Sequence, residues 1–237
     1  MLIDMHAHSK GISICCGKTY RENIDIAKNN GIDALILTNH YTKSYFARYK
    51  SVEDFVEQYY VEYENAKVYG ESVGVKVYYG VEITLEIDKE AHLLAYGVGK
   101  EFLQQHPYVF DYPLEKIYEA VHSCGGILVQ AHPFRKQDRL LDTDYLDGIE
   151  ISCHPKYFTT ASSKVKEVAK DKNLIITCGA DYHGDVSYRP VCGLVTSEKI
   201  KDEKEIVTFL TSEEEKTLLI HEINEEKPQK FTYKHKS

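Results

Sequence analysis

Seven short apolar runs punctuate the chain, and the segments between them carry helical periodicity. The runs are "LIDMH" (2–6), "ALILTNH" (34–40), "VKVYYGVEIT" (75–84), "AHLLAYGV" (91–98), "GILVQAHP" (126–133), "DGIEISCHP" (147–155) and "LIITCGADYH" (174–183). Several are nearly continuous in aliphatic and β-branched residues, as strands covered on both faces are. Between them, "TYRENIDIAKNNG" (19–31) opens on a capping Thr19 and stops at Asn30-Gly31, and "SVEDFVEQYYVEYENAKVYG" (51–70) opens on Ser51. The segments "PLEKIYEAVHSCG" (113–125), "SSKVKEVAKDKN" (162–173) and "DEKEIVTFL" (202–210) complete the set. Strands alternating with helices predict parallel strands joined by crossover helices, an α/β fold. A chain of 237 residues can form one large domain of this kind.

Charge narrows the partners. The formal net charge of -8 disfavours general binding to polyanions, so neither extended nucleic-acid binding nor attachment to an anionic membrane is expected. No apolar stretch approaches the roughly 20 residues that span a bilayer. The N-terminus lacks a basic segment followed by an apolar one, and the six cysteines are scattered. A cytoplasmic protein with free thiols is the expectation. The final stretch, "HEINEEKPQKFTYKHKS" (221–237), is highly charged and reads as a loosely ordered tail.

A second regularity is laid over the first. Nearly every expected strand ends in a residue able to bind a metal: His6 and His8, then His40, Glu82, His132, His154, and finally Asp181 and His183. Residues two apart on a strand face the same side, so His6 and His8 can share one ion. In a parallel barrel the carboxyl ends of all strands open at one mouth, where such residues would converge. His92 starts its run instead of ending it and must reach the mouth by another route. Glu82, between Val81 and Ile83, is costly to bury unless paired or metal-bound. His106, His122, His221 and His235 have no such placement and read as ordinary histidines.

These segments resemble a known family. "DMHAHS", "TNHY", "AHPFR" and "GADYHG" are similar to the four motifs of the polymerase-and-histidinol-phosphatase (PHP) superfamily. "GVEIT" and "AHLLAYGV" resemble the segments that supply its bridging glutamate and a further histidine. The resemblance runs from residue 2 to about residue 196. It implies a distorted (β/α)7 barrel over 1–196, with 197–237 adding a closing helix and strand and the charged tail. It also implies two or three divalent ions (zinc, iron or manganese). His6, His8, Glu82 and Asp181 would hold the first. Glu82, His92 and His132 would hold the second. His40 and His183 would help hold a third, with Cys16 standing where relatives often carry an aspartate or histidine. Asn39 replaces the aspartate common in the second motif and brings no charge.

The implied activity is hydrolysis of a small phosphate monoester by a metal-bridging hydroxide, with histidinol phosphate and nucleotides as family precedents. Three divalent ions against two carboxylates leave an excess of positive charge, which an anionic substrate would balance. His183 or His154 would protonate the leaving oxygen. Arg135 and Arg189, each just after a motif, are the candidate phosphate grips, because a guanidinium binds phosphate with two parallel hydrogen bonds. Lys10 and Lys18 read as solvated loop charges. The aromatic-rich stretch "HYTKSYFARYKSVEDF" either caps the pocket or buries its rings against the barrel. Two alternatives are a barrel that binds a ligand or partner without turnover, and a metal-dependent amidohydrolase. The second typically needs a carboxylated lysine at a strand end, and no expected strand ends in lysine.

Overall fold

The computed structural model describes residues 1–88, 91–135, 139–156, 161–197, 200–222 and 225–236. Each apolar run forms a strand: β1 (Leu2–Ala7), β2 (Ala34–Leu37), a two-residue β3 (His40–Tyr41), β4 (Lys76–Thr84), β5 (His92–Tyr96), β6 (Ile127–Gln130), β7 (Gly148–Ser152) and β8 (Ile175–Gly179). Three more follow, β9 (Gly193–Val195), β10 (Glu215–Ile220) and β11 (Gln229–Lys234). The helices are α1 (Tyr20–Asn29), α2 (Val52–Val73), α3 (Lys100–Gln105), α4 (Leu114–Ser123), α5 (Ala161–Lys172) and α6 (Glu203–Thr211). Local chemistry sets their ends. Thr19 and Glu22 form a reciprocal capping box on α1, Ser51 caps α2, and Gly74 closes α2 in the left-handed region at φ 84°.

The strands form one sheet in the order β11-β10-β9-β1-β2-β4-β5-β6-β7-β8, with β3 laid beside β4. β1, β2, β4, β6, β7 and β8 run the same way, and β5 is antiparallel to both its neighbours. The sheet curls until β1 meets the segment after β8. There Ala7 bridges Tyr182, and the Asp181 N–H donates to the His6 carbonyl at 2.9 Å. The result is a single mixed α/β domain on a curled, half-barrel sheet. Two features depart from seven uniform βα units: β5 is reversed, and β9 to β11 extend the sheet past β1 in antiparallel fashion. Part of the expected tail is therefore a strand, since β11 pairs along all of β10.

The aromatic stretch after the second run buries its rings. Tyr41 stacks on Phe55 at 4.9 Å, and Phe46 and Phe110 pack edge-on or tilted beside them. The Tyr59 hydroxyl donates to the Asn39 carbonyl at 2.6 Å, which ties α2 to the segment that carries His40. No helix among the described residues is long and apolar enough to cross a membrane.

Candidate metal centre

The curl brings eight expected ligands to one end of the sheet. Glu82, fully buried near the end of β4, is the hub. His40 Nδ1 lies 2.7 Å from its Oε2 and His92 Nδ1 2.9 Å from its Oε1. His132 Nε2 and His6 Nε2 lie 3.3 and 3.4 Å from Oε1, and His8 Nε2 lies 3.4 Å from Oε2. Asp181 completes the floor, with its Oδ1 3.0 Å from His8 Nε2 and 3.4 Å from His6 Nε2. His183 Nε2 stands 3.4 Å from His40 Nε2. His92 reaches the mouth because β5 is antiparallel: Thr84, the last residue of β4, pairs with His92, the first of β5. The start of a reversed strand lies where its neighbours end.

Three observations fit this cluster to cations. Donor atoms about 2.1 Å from a shared ion stand roughly 3.0–3.4 Å apart, which is the spacing found around His6 and His8. The triplets His6–His8–Glu82, His40–Glu82–His92 and His8–His40–His183 each gather their donor atoms within 4.8 Å. Finally, buried His6 Nε2, His40 Nδ1 and Glu82 Oε2 face one another's residues or Asp181 at 2.7–3.4 Å without an aligned hydrogen bond, as donor atoms aimed at a shared ion do.

Supporting contacts aim the rings. His6 Nδ1 donates to Glu150 Oε1 at 2.8 Å, so its Nε2 faces Glu82 and Asp181. Ser13 accepts from the His40 N–H at 3.0 Å and donates to Asn39 Oδ1 at 2.9 Å. Its remaining lone pair accepts His8 Nδ1–H at 3.1 Å, which leaves the His8 Nε2 lone pair pointing at the carboxylates. Asn39 also takes the Ser9 N–H on Oδ1 and gives its Nδ2–H to the Ser9 hydroxyl. It latches the loop after β1, and the donated bond is one an aspartate lacks. His132 and Asp181 themselves sit at positive φ, 32° and 50°, in sharp turns that swing both side chains toward Glu82 and His8 after β6 and β8.

Charges respond strongly to this crowding. Burial works against ionising Glu82 and Asp181, yet the surrounding imidazoles, with Arg135 beside Asp181, hold both carboxyls well below the usual range. Burial likewise opposes charge on His6, His40 and His183. The nearby carboxylates nevertheless raise all three, His40 to about 10. Burial keeps His8 and His132 neutral, the latter at about 3, with Arg135 adding to the effect on His132. Without metal, imidazolium protons supply the positive charge that the two carboxylates require.

A cleft of about 400 Å³ opens over the cluster, lined by His40, His92, His132, Asp181 and His183 below and by Arg135, His154, Lys156 and Asp185 above. Arg135 donates to Asp181 Oδ2 and to the Ser152 hydroxyl, both at 2.6 Å. His154 lies at the rim, 6.1 Å from His183 ring to ring. Its Nδ1 accepts the Lys156 N–H at 3.2 Å, and its Nε2 lies 3.3 Å from Asp185. Two sequence expectations go elsewhere. Cys16 turns its thiol to the Lys18 carbonyl at 3.4 Å, and burial pushes that thiol up to about 11. Cys15 takes the place beside His40 and His183. Burial opposes its ionisation, but hydrogen bonds to His183 and His40 bring it down to about 6. Arg189 is only 2% exposed and is committed to Asp4 at 2.6 Å and to Asn23, beneath the cluster rather than in the cleft. There Asp4 also accepts the backbone N–H groups of His6 and Ala180, so the pair fixes β1 against the end of β8.

Glu150 is the residue that sequence reasoning missed. Fully inward on β7, it holds His6 through Oε1 and the His132 N–H through Oε2 at 3.0 Å. A carboxylate between Ile149 and Ile151 carries the same signal that singles out Glu82.

No protein-family model and no curated protein matches the chain in sequence. Solved structures do match in shape. A Bifidobacterium adolescentis protein with the provisional description of a metal-dependent phosphoesterase aligns with a TM-score of 0.54 and 16% identity, over 86% of this chain and 93% of that one. PsfC from Pseudomonas syringae aligns with a TM-score of 0.62 and 17% identity, over 88% of each chain. An amidohydrolase from Chromobacterium violaceum, solved with bound sulfate and no metal, aligns with a TM-score of 0.54 and 17% identity, over 80% of this chain and 91% of that one. At these identities the likeness is one of fold, a fold shared by proteins described as a phosphoesterase and an amidohydrolase.

Proposed function

We propose that this chain is a metal-dependent phosphoesterase of the PHP type, hydrolysing a small phosphate monoester. The observation that carries the reading is a carboxylate hub within 3.4 Å of five imidazoles, open to a cleft that also holds a guanidinium. His6, His8, Glu82 and Asp181 would hold one divalent ion, and Glu82, His92 and His132 a second. His40 and His183 would hold a third, with Cys15 in the place expected of Cys16. When bound, such ions supply Lewis acidity and a water of lowered pKa. A donor set made mostly of neutral imidazole leaves them an excess of positive charge, which favours an anionic substrate over a neutral one.

The remaining roles belong to side chains. Arg135, already paired with one oxyanion in Asp181, is positioned to take a second from phosphate. With its Nδ1 accepting the Lys156 N–H, His154 carries its proton on Nε2, facing the cleft and Asp185, where it can hydrogen-bond the leaving oxygen. Sulfate bound in a fold-neighbour is an anion of the expected shape. The same comparison offers an amidohydrolase as the second reading.

The test is elemental analysis of purified protein. It is followed by a screen for phosphate release from sugar phosphates, nucleotides, histidinol phosphate and short oligonucleotides, with N-acyl amino acids as the amide arm. Phosphate release that falls with Glu82→Gln together with metal content supports the phosphoesterase. Amide cleavage without phosphate release replaces it with the second reading, and a metal-loaded protein inert to both removes the enzyme reading.

A further inference from the structure

Three cysteines unrelated to the cleft converge inside the protein. Cys153 follows β7, Cys178 lies in β8 and Cys192 immediately precedes β9. All three are buried, two of them completely, and their sulfurs lie within 4.8 Å of one another. Cys153 and Cys178 are 3.6 Å apart, sulfur to sulfur. The His221 N–H, just past β10, donates to the Cys153 sulfur at 3.4 Å, and the Cys178 thiol meets the Leu219 carbonyl at 3.4 Å.

We propose that Cys153, Cys178 and Cys192 form a second metal site, a structural one, which takes a thiophilic closed-shell cation such as Zn²⁺ or Cu⁺. Two sulfurs bound to one tetrahedral ion at about 2.3 Å stand roughly 3.8 Å apart, close to the 3.6 Å found, whereas a disulfide needs about 2.0 Å. Soft thiolates select such cations over the harder ions suited to the carboxylate-bridged cluster. The His221 amide supplies the N–H···S contact that a ligating thiolate draws to itself.

Location gives the site a purpose. β8 ends the ladder, and among the described residues no strand pairs along its outer side. β9 and β10 pack near that side without pairing, and β11 reaches β8 through the Tyr233 hydroxyl, which accepts from Ile176 N and donates to Ile176 O. An ion on Cys153, Cys178 and Cys192 would join β7, β8 and β9 across this seam. The competing account is that three cysteines pack there as small apolar side chains. The proposal does not depend on the hydrolase reading, because no proposed ligand of the cleft takes part.

The experiment uses the full chain carrying Cys15→Ser and Cys16→Ser, refolded under reductant with Cd²⁺ as the probe. Sulfur-to-cadmium charge-transfer absorption in the ultraviolet should saturate at one ion per chain, and Cys192→Ser should weaken that binding at least tenfold. Cadmium NMR on the unsubstituted chain provides a check that needs no change at the triad: a resonance in the sulfur-ligand region is expected beside those of nitrogen and oxygen sites. Absence of both signals, or absorption unchanged by Cys192→Ser, overturns the site. When the refolding is repeated in air without reductant, with oxygen as the oxidant, a disulfide among the three as the only product in the presence of the metal overturns it in favour of a redox pair. An unsubstituted chain that gives the sulfur-region cadmium resonance but releases no phosphate when loaded with Zn²⁺ or Mn²⁺ leaves this site standing and removes only the hydrolase.

Discussion

Glu82 and Glu150 occupy matching sequence environments, a carboxylate between β-branched or aliphatic neighbours in a strand, and the structure gives them complementary tasks. Glu82 faces the donor atoms directly, whereas Glu150 fixes the tautomer and aim of His6 and the backbone of His132. Removing the charge of Glu150 while keeping its shape should therefore spare the fold and loosen the metal. Glu150→Gln is expected to weaken affinity by about 10–100-fold, the usual cost of losing such a partner. Metal-competition titration against a chromophoric chelator reads this, and unchanged affinity would contradict the role. Cys15 makes a second prediction, for metal-free protein. Its thiol is held at about 6 when folded, well below the ~8.5 of a free cysteine. The folded state thus releases a proton that the unfolded chain retains, so Cys15 contributes stability above ~8.5 that is lost as pH falls through 6. Cys15→Ser should destabilise the metal-free chain more at pH 8.5 than at pH 5.5, an effect that solvent screening of the exposed thiol keeps small, as read from urea midpoints. The convergence of the cluster's residues was legible in the sequence, because a histidine at a strand end has a fixed address. The sequence did not separate Cys15 from Cys16 or expose the buried fate of Arg189. Both depend on loop geometry, which has no period to read.

Strand direction decides more of the site than strand existence. All seven apolar runs become strands, and the helical segments between them become α1, α2, α4, α5 and α6 within a residue or two, apart from a longer C-terminal end on α2. What periodicity could not supply was the reversal of β5. Yet His92 at the start of its run, among ligands at the ends of theirs, was a trace of it. The β10–β11 hairpin was hidden for another reason: the apolar alternation of β11 is only two residues long, Phe231 and Tyr233, and lies inside a highly charged stretch. Close packing of β8 against β1 makes the third prediction. A methyl group on Gly179 would come within 2.4 Å of His6 Cβ and 2.6 Å of its backbone nitrogen. Neither atom can give way without moving β1 or the ring. Gly179→Ala should cost about 1–3 kcal/mol as an overpacking change. It should also lower affinity for the ion at His6, so that calorimetric stability and metal stoichiometry fall together. A variant that loses stability but binds metal unchanged would show that β1 moves as a unit and carries His6 with it.

At the scale of the molecule, the cluster joins residues from His6 to His183, which sit on or just past strands from both halves of the curled sheet. The unfolded chain cannot present them together, so an ion that binds there binds the folded state alone and adds its binding energy to stability. The metal-free protein substitutes protons, which hold His6, His40 and His183 against the carboxylates but cannot span several donors as one ion does. Free metal at about 100 times its dissociation constant adds ~2.7 kcal/mol per site. For a chain of this length each kcal/mol moves the melting temperature by roughly 2–4 °C, so one filled site should raise it by roughly 5–11 °C. Chelation followed by dialysis, then melting with and without added Zn²⁺ or Mn²⁺, measures the shift. Glu82→Gln separates the two classes of site: it should abolish the part of the shift that belongs to the histidine cluster and keep any part that belongs to the cysteine seam. A melting temperature indifferent to chelation and to both ions would mean that these imidazoles and carboxylates converge without holding a cation.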